Sequence, residues 1–229
     1  MRVIRLIPAT IIFFLLAPGS AIAQDWMEYY SRADFFRVNM PGQPTVQDIR
    51  YTSYFENEYP ARVYSVAAGP ERYSVTVVDY SGAQQLQAEK RKSCPAGSVC
   101  TQAWEYDVRG ALDHATWKLI QRDTTLTFLG WGVQDKIEGR MLRFTNADRS
   151  RSTVALHMHE DRLYILESTV PQGAAELGAF HHSLQLTDKE GNLIRYKTIY
   201  INGAPAPERE EQEDNDDFRA RTNADAPAK

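Results

Sequence analysis

Five histidines and two cysteines are the side chains from which a metal site or a thiol chemistry would be built. The sharpest pattern is His157-Met158-His159. Alternate side chains of a β-strand share a face, so both imidazoles point the same way, about 7 Å apart, within reach of one transition metal. Glu160 follows directly, and His114 or the pair His181-His182 would complete a ligand set if the fold brought them near. Against this, two histidines do not complete a site, and an exposed strand face beside polar loops accepts histidine as readily. His181 and His182 lie in a helical pattern, where neighbours point about 100° apart, so one is expected to pack and the other to be solvated.

Cys94 and Cys100 stand in the segment KSCPAGSVC with five residues between them, where a redox pair would want two. In an oxidising compartment they are expected to pair with each other. The chain-entropy model gives so short a loop about 2.4 kcal/mol of stabilisation. No serine sits in a Gly-x-Ser-x-Gly turn, and no glycine-rich loop leads from a strand into a helix. Asp107 and Asp113 lie on an expected helix surface at a spacing that does not align them. No catalytic residue and no cofactor is therefore assigned. The segment FLGWGVQ would present Trp131 between two permissive glycines as a binding platform; the reading preferred here is that the glycines ease a bulge and Trp131 packs in the core.

These residues need elements to hold them. FFRVNMP reads as a strand ended by Pro41-Gly42, TVQDIRYTSYF as a second, and ARVYSVAA with RYSVTVVDY as a hairpin around Gly69-Pro70-Glu71. GAQQLQAEKRK has helix formers and no β-branched residue. Trp104, Val108, Ala111, Leu112, Ala115 and Leu119 then recur at helical spacing over residues 102–121, with Glu105, Asp107, Arg109, Asp113 and Lys118 on the polar side. Four strands follow: TTLTFLGWGV, GRMLRFT, STVALHMH and RLYILESTV. The last two form a tight hairpin in which Val154, Leu156 and Met158 share a face with Leu163 and Ile165, while His157 and His159 face the other way. GAAELGAFHHSLQL reads as a second helix with Leu177, Phe180 and Leu184 on one side, and NLIRYKTIYIN as a last strand. Runs of antiparallel hairpins with helices between them give an α+β fold: a mostly antiparallel sheet covered by helices.

The chain opens with Arg2 and Arg5, an apolar run from Leu6 to Ala17, Pro18-Gly19 and the small-residue triplet Ala21-Ile22-Ala23. Residues 1–23 are thus expected to be a cleavable signal, and the mature protein to be periplasmic and to start at Gln24. Twelve residues are too few for a hydrocarbon core that needs about 20. Losing the two arginines moves the net charge from −4 to −6, which argues against nucleic acid as a partner. Residues 24–203 make one domain. From Ala204 the chain turns to alanine, proline, eight acidic and four basic residues, with Phe218 its one aromatic, and is expected to be a disordered acidic tail over 204–229.

The opening FFRVNMPGQPTV, with the hairpins, the helix and the later meander ending RLYILESTVP, resembles PsbP/Mog1-like domains over about residues 30–201. The chain also resembles small exported proteobacterial proteins. The resemblance implies an α+β sandwich and a leaning towards accessory or binding roles, and it assigns no functional residue. The expectation is a non-enzymatic periplasmic module that binds a protein or envelope component. The alternative is a metal-binding or hydrolytic enzyme using the His157/His159 strand face.

Overall fold

The computed structural model describes residues 26–95, 104–175 and 178–210. Two meanders build its main sheet. The first is β3 (Thr45–Thr52), β4 (Glu58–Ala68) and β5 (Glu71–Asp79). The second is β6 (Thr125–Gln134), β7 (Ile137–Thr145), β8 (Arg151–His159) and β9 (Arg162–Val170). Their hairpins are short. Gly69-Pro70 closes β4 onto β5 with Gly69 at φ 59°, and Asp135-Lys136 closes β6 onto β7 with φ of 46° and 61°, the positive values that two-residue hairpin turns require. The meanders join where β5 meets β9, giving the all-antiparallel order β3-β4-β5-β9-β8-β7-β6.

Each face of this sheet buries an apolar cluster under a different cover. On one face lie α1 (Ala83–Lys92) and α2 (Trp104–Ile120). The α2 stripe Val108, Ala111, Leu112, Ala115 and Leu119 packs with Val78, Leu142, Phe144, Val154, Leu156, Met158 and Leu163. On the other face lie a three-stranded antiparallel sheet, β1 (Met27–Ser31), β2 (Phe36–Met40) and β10 (Gln185–Leu186), and the single turn α3 (Ala179–His182). Phe36, Val38, Met40, Phe180 and Leu186 there cover Tyr64, Tyr73, Val75, Ala155, Tyr164 and Leu166. Asp34, buried in the β1–β2 turn, fastens the two sheets: it accepts from Arg62 Nη2 (2.6 Å) and Tyr64 Oη (2.5 Å) of β4, while Tyr164 Oη donates to its backbone oxygen (3.0 Å).

The fold is α+β with a mostly antiparallel sheet, and the hairpins and both long helix positions follow the sequence. Four local expectations need correction. One cover is a second sheet rather than helices. The helix expected over 173–186 shrinks to α3, because Leu184 and Leu186 are both buried at the two-residue spacing of a strand; Leu177 lies outside the described residues. The segment 192–202 forms no strand. Tyr196 and Tyr200 turn inward to cover β8, and the segment holds on through isolated bridges, Leu193 to Thr187 and Tyr200 to Ile137. Finally, the expected tail starts too early. Residues 208–210 fold back on 195–197, with Lys197 N–H donating to Glu208 O (2.9 Å) and Glu210 N–H to Arg195 O (2.8 Å). The tail's first charges meet opposite ones in the body of the protein: Glu208 with Lys197, Arg209 with Glu160 and Glu210 with Lys136. Residues 211–229 and the expected signal lie outside the described residues. Among those described, no helix is long and apolar enough to cross a membrane.

Candidate functional site

His157 and His159 do share a face of β8, opposite Val154, Leu156 and Met158. That face is not exposed. It lies under Tyr196, Tyr200 and the α3 region, and both histidines are buried. His157 Nδ1 meets Glu138 O at 3.3 Å, and its ring lies over β7 where Gly139 stands opposite it; a Cβ there would fall 2.4 Å from Nδ1, so only glycine fits. His159 Nε2 pairs with Tyr196 Oη at 2.8 Å, and its ring centroid is 5.0 Å from that of Tyr200. Burial pushes both imidazoles down to about 4, and for His159 the positive charges of Arg209 and Arg162 push the same way. Both are neutral at pH 7.

The other candidates do not join them. Glu160 is held by Arg209 at 3.2 Å. His181 is buried, accepts or donates at Thr153 O (2.9 Å) and is pushed down to about 4 by burial, while His182 is exposed, the packed-and-solvated split expected of them. His114 sits on α2, across the sheet. Among the described residues no three of His, Cys, Asp and Glu are placed to hold a metal ion. The crevice beside His157, lined by Gln134, Asp135, Ile137, Leu184 and Leu186, is too tight to admit a ligand. Cys94 follows α1; Cys100 lies outside the described residues, and their pairing is an expectation from the sequence only.

A different surface gathers Asp107 and His114 with Tyr54 and Trp117. Asp107 was placed on the polar side of its helix, yet it is 3% exposed. Its Oδ2 accepts from Ser53 Oγ (2.9 Å), Asn57 Nδ2 (2.7 Å) and Tyr59 Oη (2.8 Å), three neutral donors that stabilise a carboxylate in a water-poor position. The effect is to pin the turn between β3 and β4 against α2. Tyr54, at the outside of that turn, is then 69% exposed and edge-on to His114, ring centroids 5.9 Å apart. His114 lies nearly parallel to Trp117, at 6.5 Å and 22°, with Nε2 3.3 Å from Thr52 O. Lys118 Nζ stands 4.3 Å from the Tyr51 ring centroid. Trp117 is 58% exposed. Tyr54, His114 and Trp117 thus make an aromatic platform with one ammonium beside it. The readable signal was Trp117 itself, a large aromatic off the apolar stripe of α2; Asp107 gave none, because its partners come from residues 53–59.

Trp131 is also not core. It is 58% exposed on β6, one of the two edge strands of the main sheet, with Leu129 and Val133 on the same face. The bulge does occur, between Leu126 and Phe128, ahead of the glycines, and the Phe128 ring folds across Gly130.

No family model matches the chain, and no curated protein matches it. Among solved structures it is similar to the solution structure of cyanobacterial PsbP (CyanoP) from Synechocystis sp. PCC 6803. The TM-score is 0.41 at 11% identity, over 75% of this chain and 98% of that one. At this distance the likeness transfers no residue role, and the surfaces above rest on their own geometry.

Proposed function

We propose that the protein is an exported, non-enzymatic binding module of the periplasm, and that the platform of Tyr54, His114 and Trp117 is where it engages a protein or envelope component. One observation carries this reading: Asp107 is buried at the cost of its hydration to hold a turn that presents Tyr54, 69% exposed, beside His114 and Trp117. Exposed tyrosine and tryptophan, held rigid, are the side chains that anchor protein contacts, and the Lys118 ammonium favours a partner carrying carboxylates or carbonyl oxygens at the edge of the contact. The buried imidazoles are neutral and each has a protein partner, so the strand face that motivated an enzyme offers a substrate nothing to meet.

The test uses protein recovered from the periplasmic fraction, expected by N-terminal sequencing to begin at Gln24, as bait for the native envelope. Wild type is compared with the double variant Tyr54→Ala/Trp117→Ala. Both side chains are exposed, so the variant should melt within about 0.5 kcal/mol of wild type and lose the captured partner. Equal capture by both proteins would remove the platform from the function. An intact Met1 form in the membrane fraction would remove the periplasmic address.

A further inference from the structure

Edge strands of natural sheets are commonly guarded against pairing by charges, proline or inward-turned side chains. β6 has none of these, and its bulge between Leu126 and Phe128 leaves Phe128–Gln134 in regular register. TLTFLGWGVQ is ten residues long without a charge or a proline, and its outer edge meets no other strand among the described residues. It also exposes Leu126, Phe128, Leu129, Trp131 and Val133. The two faces of the strand differ. Leu129, opposite Leu142 in register, shares the helix-side face with Trp131 and Val133, beyond the reach of α2. Phe128, Gly130 and Gly132 line the other, where the Phe128 ring lies 5.4 Å from the Arg143 guanidinium.

We propose that β6 is a self-association edge on which a second copy of this chain pairs antiparallel about a two-fold axis at Gly130. The sequence is self-complementary in that register. Antiparallel partners point to the same side of a sheet. With Gly130 opposite its own copy, Leu129 stands opposite the second copy's Trp131, and Trp131 opposite its Leu129, giving a four-residue apolar cluster on one face. On the other face Phe128 stands opposite Gly132 of the second copy. A Cβ at Gly132 would meet nothing within 4 Å, so the space over it is open, and the Phe128 ring, which lies over Gly130 of its own strand, turns across the seam to fill it on pairing. Large residues therefore meet small ones on one face and apolar residues meet apolar ones on the other.

The strand ends do not oppose it. Arg122-Asp123 precedes β6 and Asp135-Lys136 follows it, one base and one acid at each end, so antiparallel order sets no block of like charge against another. The five exposed side chains offer roughly 500 Å². With the backbone edge added, the contact approaches the ~800 Å² per partner of a standard interface, which places the dimer at the weak end of that class. The result would be a continuous fourteen-stranded sheet, twice the seven of one copy.

Sedimentation equilibrium of the purified protein from about 10 to 500 µM should show a concentration-dependent dimer. Trp131→Lys puts a charge into the centre of the cluster twice per dimer and should weaken association at least about 100-fold. Gly132→Val suits a strand and its Cβ meets nothing within 4 Å in the monomer, but it fills the seat of Phe128; it should also leave a monomer, with the thermal midpoint unchanged or raised. A wild type that stays monomeric throughout would overturn the proposal. So would a Gly132→Val variant that associates like wild type, since the glycine-on-phenylalanine register would then be wrong. If either variant fails to fold by circular dichroism, Val133→Lys, on the same exposed face, replaces it, and association undiminished in that protein counts against the edge.

Discussion

β8 and β6 lie two places apart in one sheet and have exchanged the fates their residues foretell. β8 carries two histidines and a methionine between them, the pattern that looks like a metal site, and every one of its residues from Ser152 to His159 is buried. β6 carries two leucines, a phenylalanine, a valine and a tryptophan, the composition of a core strand, and is exposed along most of its length. The difference is position. β8 has β9 and β7 at its sides, α2 above one face and Tyr196 and Tyr200 above the other. β6 lies past the limit of both covers and has one neighbour. Residue type states what a side chain can do; the number of layers over it states whether anything outside the protein can use it.

The strongest test of this contrast is pH. His157, His159 and His181 are held neutral, with folded values near 4 against an ordinary 6.5. Because the folded values are depressed, the unfolded chain binds more protons between those limits. Stability is therefore full above about pH 6.5 and lost as pH falls towards 4. At pH 5 each histidine costs about 2 kcal/mol, about 6 together, and thermal melts at pH 7 and 5 should differ by well over 10 °C. A midpoint unchanged across that range would mean the imidazoles are solvated after all.

A middle-sized effect compares two leucines that face each other in register. Leu142 on β7 is fully buried and Leu129 on β6 is 47% exposed. Leu142→Ala should cost about 3 kcal/mol in denaturant unfolding of the monomer, and Leu129→Ala less than about 1 kcal/mol. Similar losses at both sites would erase the distinction between covered strand and open edge.

The smallest effect lies at the C-terminus. Ending the chain after Glu210 should leave the melting midpoint within a degree or two. Ending it after Gly203 removes the pairing of 208–210 with 195–197 and the ion pairs to Lys136, Lys197 and Glu160, for about 1 kcal/mol. Equal midpoints would show that this pairing adds nothing to the cover over His159.

What could be read from the sequence was whatever neighbours in the chain determine. The alternation in β8 and β9 put Val154, Leu156 and Met158 on one side and the histidines on the other, and the α2 stripe gave the buried face of that helix. What could not be read depends on remote partners. Asp107 is polar on a helical wheel, and its burial follows from Ser53, Asn57 and Tyr59, some fifty positions away. Trp131 looks like core until β6 is known to be last in the sheet. Tyr196 and Tyr200 alternate as in a strand, but no strand lies beside them, and their rings roof β8 instead.

The seam between the two meanders has a kinetic meaning. Every other pairing in the seven-stranded sheet joins strands adjacent in the chain, so each closes a short hairpin loop. Only β5 and β9 are remote, with Asp79 brought opposite Arg162 and the whole of α1, α2 and three strands lying between. Joining such distant points costs about 4 kcal/mol of loop-closure entropy, and this topology concentrates that cost in a single step. α2 lies within the loop and buries its apolar stripe in the same cluster as Val78 on one side of the seam and Leu163 on the other. The segment that makes the loop long is also the one that bridges its ends.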